Sequence, residues 1–454
     1  MKKKNAQTNA QYIEAEIEWF QRVLDARFQA QSNGTEQPDI LAVHPPPSLQ
    51  HHDTPYAQIV LRANLDAAER LILIFAFLPH IRPDILDPFL VRNEALQSRF
   101  TEFGGVIGSA HQGFIPTCES ALYLLAGKSI PERLYYLPLF KPDHALQRFH
   151  LLQLEQENRH EPPLSSVLRL TPETIESLTT GGPYTPPFSS EFPAQQMQTP
   201  CEWPDLVLDN TTRRDLEDIA TWIRHKDELL DEWHLRKRLK QGFRSLFYGP
   251  PGPGKTLAAT LLGKNNGMPV YRVDLSKVVS KYIGETEKNL ASLFDRAERH
   301  DWILFFDEAD SLFGKRTETH NSNDRSANQQ VSYLLQRIED FPGVVILASN
   351  LRAQIDEAFA RRFQSIIYFP VPQFAERLRL WEDNFRNKPY KLAPDVDLPA
   401  LARDHELSGG SIINILRYAC LRAVVRPNQE IHAADILMAI RNERHKEGKF
   451  MSQS

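Results

Sequence analysis

The chain has 454 residues, enough for about three folding units that each bury a core. Its 53 Lys and Arg residues against 58 Asp and Glu residues give a net charge of -5, which argues against a broad nucleic-acid surface. The longest apolar run, residues 71–78, is less than half of the roughly 20 residues that a membrane span needs, so we expect no membrane insertion. The three cysteines form no CxxC pair and no apolar signal sequence is recognised, which predicts a cytoplasmic protein.

Residues 1–180 are predicted to form a mainly helical domain that binds a substrate or partner. An apolar helix is expected over residues 65–78, closed by Pro79, because proline cannot donate a helical hydrogen bond. Thr117 is placed to cap a short helix, and a strand is expected at residues 166–170. This mixture of helices and a strand is compatible with a winged-helix domain.

The rest of the chain divides at a proline-rich segment. Residues 181–204 are predicted to be an extended linker, because their prolines disfavour both helix and sheet. Over residues 205–372, short apolar runs alternate with amphipathic helices, which predicts a parallel α/β sheet covered on both faces. The strand candidates are residues 245–248, 270–273, 302–306, 344–348 and 366–369. From 373 to 454 only helical patterns remain, which indicates a separate helical subdomain.

A glycine-rich motif follows the first of these strand candidates. It reads Gly249-Pro250-Pro251-Gly252-Pro253-Gly254-Lys255-Thr256, fits GxxxxGK[ST], and opens a helix rich in Ala and Leu. These residues and Leu257 are predicted to bind nucleotide. In such a loop, glycines let backbone N–H groups face phosphates, Lys255 reaches the β and γ phosphates, and Thr256 offers a hydroxyl to Mg²⁺. Pro253 has no amide hydrogen, so we expect weaker binding rather than its loss.

Two carboxylates follow the third strand candidate. Asp307 is placed for Mg²⁺ at the carboxyl end of a parallel strand, where such sheets bind ligands. Glu308 is the candidate that polarises the attacking water, because phosphoryl transfer depends on an aligned nucleophile. Acidic residues at a strand end can also be simply solvated, but the glycine-rich loop upstream favours the catalytic interpretation.

Residues 203–445, which contain Lys255 and the Asp307-Glu308 pair, resemble the AAA family of P-loop ATPases. The resemblance implies a parallel-sheet α/β core followed by a helical lid, ATP and Mg²⁺ as cofactors, and hydrolysis of ATP. The segment Lys281-Tyr282-Ile283-Gly284 is similar to the family's first pore loop, in which an aromatic and an aliphatic residue grip an extended polypeptide. Packing of Tyr282 in a strand-to-helix turn is the alternative.

Further positions match other parts of the family's site. Asn350 matches a sensor that positions water and reads the γ-phosphate, although an Asn after a strand also favours a turn. Arg361 and Arg362 resemble arginine fingers that act on a neighbouring subunit, which implies self-association into a ring, taken as a hexamer. A surface salt bridge is the alternative for this pair. Gly410 lies in the small-residue turn of the lid and is expected to contact nucleotide, while the sensor-2 arginine of some relatives is not found.

Two departures from the family pattern bear on nucleotide binding. Pro253 stands where threonine is more usual, and residues 205–212, which should lie near the adenine, match the family loosely. A preference for adenine is therefore an expectation from the family alone. Residues 114–127 and 324–337 resemble bacterial AAA proteins linked to extracellular contractile injection systems.

The leading hypothesis is a ring-forming, Mg²⁺-dependent ATPase that remodels, threads or disassembles a protein client. Its predicted setting is an accessory role in a bacterial contractile injection system, as cargo loading or particle disassembly. The alternative is a nucleotide-gated switch whose amino-terminal domain binds DNA or an assembly factor. The acidic pI near 6.3 and the Tyr282-Ile283 pair disfavour this alternative.

Overall fold

The computed structural model describes residues 2–33, 39–49, 54–93, 98–108, 110–156, 158, 160–181, 184–189, 192–275, 283–310, 322–350, 360–385, 388 and 390–446. The chain divides into two compact units, Met1–Thr185 and Pro186–Ser454. Among the described residues, none of the helices combines the length and the apolar character that a bilayer span requires.

The amino-terminal unit is mainly helical. Its helices are α1 (Lys2–Asn33), α2 (Ile40–Val43), α3 (Pro55–Ala63), α4 (Ala67–Ile81), α5 (Cys118–Ala126), α6 (Ile130–Tyr136), α7 (Ala145–Arg148) and α8 (Pro172–Thr179). Three antiparallel pairs join β1 (Arg92–Asn93) to β2 (Ser98–Arg99), β3 (Val106–Ile107) to β4 (Phe114–Ile115), and β5 (Leu152–Glu155) to β6 (Val167–Leu170). Short 3-10 turns cover Pro83–Leu90, Thr101–Phe103, Leu137–Phe140 and Pro163–Ser165.

Helix α4 is the centre of this unit, and residues 71–78 along it are all buried. The prediction that α4 closes at Pro79 is wrong, since the helix continues to Ile81. Proline removes only its own N–H from the helix, and the last turn is completed by a bond from Arg82 N to Leu78 O. The predicted cap is confirmed, because the Thr117 hydroxyl accepts a hydrogen bond from Ser120 N. The winged-helix assignment stays a prediction.

The second unit is built on a sheet that has six strands among the described residues. They are β7 (Ala194–Met197), β8 (Phe243–Tyr248), β9 (Val270–Val273), β10 (Ile303–Phe306), β11 (Val344–Ser349) and β12 (Ser365–Tyr368), in the spatial order β12-β8-β11-β10-β9-β7. All neighbours from β12 to β9 are parallel. The five strands expected from the apolar runs are therefore confirmed.

Strand β7 corrects the prediction for residues 181–204, which were expected to be only a linker. It pairs antiparallel with β9, and Phe192 just before it packs on Tyr271 and Trp302. Residues 194–197 contain no proline, and an edge strand needs hydrogen bonds on one side only. The prolines nearby therefore do not prevent this segment from joining the sheet.

Helices cover both faces of this sheet, as the buried strands β10 and β11 require. On one face lie α9 (Asn210–Asp227), which runs into a π-helical turn (Glu228–Glu232), and α10 (Lys255–Asn266). On the other lie α11 (Ile283–Arg299) and α12 (Ser322–Asp340). Short 3-10 turns cover Trp203–Asp205 and Leu235–Lys237.

A helical subdomain with its own core ends the chain. It contains α13 (Phe374–Phe385), α14 (Leu398–Asp404), α15 (Gly409–Ala423) and α16 (Ala433–Lys446), which pack around the buried Trp381. A short parallel pair, β13 (Lys391–Leu392) with β14 (Glu430–Ile431), adds to the purely helical pattern expected from the sequence. Two-residue strands are too short to leave a periodic signal, so the sequence could not reveal them.

Candidate functional site

The predicted site residues lie where parallel strands end side by side. Gly249 follows β8, Asp307 follows β10, and Asn350 follows β11. In the sheet order, β11 lies between β8 and β10, so the three strand ends are adjacent. The loop, the acidic turn and the candidate sensor are thereby brought to one edge of the sheet.

The loop between β8 and α10 depends on glycine. Gly249, Gly252 and Gly254 have φ of 142°, 94° and 110°, a backbone region that other residues rarely adopt. A Cβ at Gly249 would lie 2.2 Å from the carbonyl oxygen of Phe369, and one at Gly252 would lie 2.3 Å from Ser408 Oγ. The loop therefore approaches both the end of β12 and the lid too closely for a side chain.

Lys255 joins the loop to the candidate sensor. Its ammonium Nζ donates to the carbonyl oxygens of Gly249 at 2.6 Å and Pro250 at 2.9 Å, and to Asn350 Oδ1 at 2.9 Å. These contacts account for the three donors of an ammonium group. Burial lowers the pKa of Lys255, and the negative charges nearby, Asp307 and then Asp310, oppose that shift.

The acidic turn after β10 presents two carboxylates in different surroundings. Asp307 is half-buried, and its Oδ1 accepts a bond of 3.1 Å from Glu308 N. Glu308 is exposed and has a φ of 51°, which is uncommon outside glycine. Ala309 N donates to Ala348 O at 2.8 Å and so fixes the turn against β11.

Asp310 belongs to the site, although the sequence alone did not identify it as a functional residue. Its carboxylate accepts a hydrogen bond from the hydroxyl of Ser349 and one of 3.5 Å from Asn350 N. The signal in the sequence was its place in the acidic run after β10. Its partners lie 39 and 40 residues further along the chain, so only the sheet order reveals the contact.

The first turn of α10 opens onto a cavity. Thr256 is exposed and Leu257 is half-buried, and both line a space of about 500 Å³ together with residues of β7 and Arg272. On another side of the loop, a Cβ at Gly254 would lie 2.8 Å from a methyl of Leu206. Leu206 belongs to the segment that was expected near a nucleotide base.

The helical subdomain that ends the chain, which corresponds to the predicted lid, contacts the loop directly. Gly410 N donates to Gly252 O at 3.1 Å, which places this predicted binding residue against the loop. Ser408 caps α15 through a 3.2 Å bond from Ser411 N to its hydroxyl. A ligand in the loop would therefore lie between the sheet and the lid.

The two arginines predicted as fingers have different surroundings. Arg362 Nη1 lies 2.6 Å from Glu339 Oε1, the surface salt bridge that was the alternative for this pair. Arg361 is exposed and forms no ion pair within the described parts of the chain. In the predicted pore loop, Lys281 and Tyr282 lie outside the described residues, and Ile283 and Gly284 begin α11 with side chains that also lie outside them.

The residues of the loop fit a nucleoside triphosphate with Mg²⁺. The three glycines with positive φ leave no room for side chains, and the buried Lys255 ammonium bonds to the carbonyl oxygens of Gly249 and Pro250. The exposed Thr256 hydroxyl and the half-buried Asp307 carboxylate are hard oxygen donors, which Mg²⁺ prefers. Thr256 and Asp307 are thus the residues that would hold the ion.

Residues 245–371, which span most of the sheet and this site, match the family described as "ATPase family associated with various cellular activities (AAA)". An uncharacterized AAA family ATPase, y4kL, from Sinorhizobium fredii is 28% identical over 64% of this chain and 87% of that protein. ATP-dependent zinc metalloprotease FtsH 3 from Symbiobacterium thermophilum is 31% identical over 52% of this chain and 40% of that protein.

The proteasome-activating nucleotidase of Aeropyrum pernix is 34% identical over 43% of this chain and 49% of that protein. The aligned region thus spans less than half the length of this nucleotidase and of the metalloprotease. The alignment with y4kL covers most of that protein.

Replacement of Lys255 tests the loop. We expect Lys255→Ala to weaken ATP binding about 10- to 100-fold, because hydrogen bonds to a charged group contribute about 1.5–3 kcal/mol. Isothermal titration calorimetry on the full chain measures the affinity. Lys264→Ala is the matched control, since Lys264 lies at the other end of α10 and pairs with Glu202. Equal affinities for the wild type and Lys255→Ala would contradict the assignment.

Proposed function

We propose that this chain, which carries an AAA-family ATPase domain, forms a ring that uses ATP hydrolysis to remodel, thread or disassemble protein clients. The family match confirms the predicted α/β fold and the ATPase class. The proposal rests chiefly on one observation: the Lys255 ammonium contacts Asn350, with the charge of Asp307 nearby, at the edge of the sheet where the glycine loop follows β8.

The site suggests how hydrolysis is organised. When nucleotide binds, the Lys255 ammonium exchanges its carbonyl partners, Gly249 O and Pro250 O, for phosphate oxygens. Thr256 and Asp307 would hold Mg²⁺, and the ion would supply positive charge that offsets the charge of the phosphates. Glu308 is exposed at the strand end and orients the attacking water as its general base. Asn350 remains close to Lys255 and reads the terminal phosphate.

Two relatives support a protein client. The printed names of these relatives, an ATP-dependent zinc metalloprotease and a proteasome-activating nucleotidase, connect nucleotide use with protein degradation machinery. In this chain we assign the client contact to the pore-loop segment Lys281-Tyr282-Ile283-Gly284, which precedes and begins α11. An aromatic followed by an aliphatic side chain can grip an extended polypeptide without reading its sequence.

We further propose that the ring is a hexamer in the cytoplasm and serves a bacterial contractile injection system, in cargo loading or particle disassembly. The support is the sequence likeness at residues 114–127 and 324–337. Of the two finger candidates, the surroundings favour Arg361, because Arg362 is engaged with Glu339.

Mixed rings test the contribution of Arg361 to a neighbouring site. We expect Arg361→Ala subunits, mixed with wild-type subunits, to lower ATP turnover below the linear average. The reason is that each variant subunit also disables its neighbour, and arginine fingers contribute about 10³- to 10⁵-fold in GTPases. Phosphate release is measured against the mixing ratio.

Two controls sharpen that experiment. Arg236→Ala removes an exposed arginine that pairs with Asp231 and should leave turnover unchanged. Arg362→Ala should have a smaller effect than Arg361→Ala. Strict proportionality between turnover and the wild-type fraction in the Arg361→Ala mixtures would argue against a finger acting between subunits.

The pore-loop assignment predicts an uncoupled variant. Tyr282→Ala should keep most of the ATP turnover and lose client remodelling, because the aromatic grip is separate from the phosphate site. Unfolding of a tagged fluorescent protein client, followed beside phosphate release, measures both. Tyr282→Phe keeps the aromatic side chain and should retain both activities. Equal loss of the two activities in Tyr282→Ala, or undiminished remodelling, would contradict the assignment.

A further inference from the structure

Asp310 lies between the acidic turn and the candidate sensor. It is half-buried and lies three residues after Asp307 in the sequence. One carboxylate oxygen, Oδ1, accepts the Ser349 hydroxyl, and the other, Oδ2, accepts Asn350 N at 3.5 Å. Both oxygens are thus directed at the end of β11.

These contacts hold Ser349, the last residue of β11, and Asn350, which follows it. Ser349 is buried, with 1% of its surface exposed, and the bond from Ala309 N to Ala348 O holds the same two segments together one residue earlier. Asn350 by contrast is exposed, so burial alone does not orient it. Its main chain is instead tied to Asp310.

The side chain of Asn350 completes a continuous path to the phosphate loop. Its Oδ1 accepts from Lys255 Nζ at 2.9 Å, and Lys255 in turn contacts Gly249 and Pro250. A carboxylate that accepts from a main-chain N–H restricts the rotation of that peptide unit. Restricting the peptide unit of Asn350 restricts where its amide can reach.

We propose that Asp310 is a positioning residue that holds Asn350 so that its side-chain amide faces Lys255 and the terminal phosphate of a bound nucleotide. This inference rests on the proposed ATPase function of the same site. Asp310 acts through Asn350, whereas Asp307 and Glu308 act on the ion and the water.

A mutant cycle with Asn350 tests this. We expect Asp310→Ala to lower kcat about 10- to 100-fold, as is typical when a supporting residue of a site is removed. The affinity for ADP should change by less than about threefold, because the loop and Lys255 remain. In an Asn350→Ala background, Asp310→Ala should lower kcat no further, since Asp310 acts through the Asn350 side-chain amide that this background lacks.

Two further variants separate the contacts of Asp310. Asp310→Asn keeps one acceptor oxygen and replaces the other with an NH2 group, so its oxygen can accept from the Ser349 hydroxyl or from Asn350 N but not from both, and we expect a loss smaller than that of Asp310→Ala. Asp301→Asn is the matched control. Asp301 is an exposed carboxylate at the opposite end of β10 that pairs with Lys226, and its replacement should leave kcat unchanged.

Three results would overturn the proposal: an unchanged kcat in Asp310→Ala, an equal further loss in the Asn350→Ala background, or a fall in ADP affinity as large as the fall in kcat. A crystal structure of Asp310→Ala tests the positioning without turnover. We expect Asn350 Oδ1 to leave Lys255 Nζ, and a retained distance of 2.9 Å would refute the inference. A wild type that hydrolyses no ATP would instead refute the proposed function.

Discussion

The contact between the Lys255 ammonium and Asn350 Oδ1 is the interaction on which the rest of the site depends. It joins residues 95 positions apart in the sequence: Lys255, the first residue of the helix after β8, and Asn350, which directly follows the neighbouring strand β11. A buried ammonium is costly unless its donors are satisfied, and here three oxygens satisfy them. The register of β8 against β11 is therefore constrained by a charge as well as by apolar contacts.

The same constraint explains the small residues around the loop. The loop that offers the carbonyl oxygens of Gly249 and Pro250 to Lys255 passes through positive φ at Gly249, Gly252 and Gly254. The curled loop then offers Gly252 O to Gly410 N of the lid. Because one loop contacts the ammonium, the end of β12 and the lid, a change at the phosphate site can reach the lid without an intermediary. The proposed ATP-dependent remodelling would require such a coupling.

Much of this architecture could be predicted because short stretches of sequence determine it. The apolar runs predicted five strands correctly, the GxxxxGK[ST] motif located the loop, and Thr117 predicted a helix cap. Strand β7 escaped because the prolines around it dominate the composition, although residues 194–197 contain none. Asp310 escaped because its function lies in a contact across the sheet. Likewise, only the structure shows that Arg362 contacts Glu339 and Arg361 does not. Contacts between side chains that are far apart in the sequence depend on the fold, so no short stretch of sequence reveals them.

The central claim, that ATP hydrolysis acts on a protein client, is tested most directly by trapping that client. Tagged Glu308→Gln protein, which should bind ATP without hydrolysing it, is purified with ATP from its native cells beside Lys255→Ala. We expect sheath, tube, baseplate or effector proteins of an injection system to be retained by Glu308→Gln alone. Retention of DNA, or of the same proteins by both variants, would contradict it.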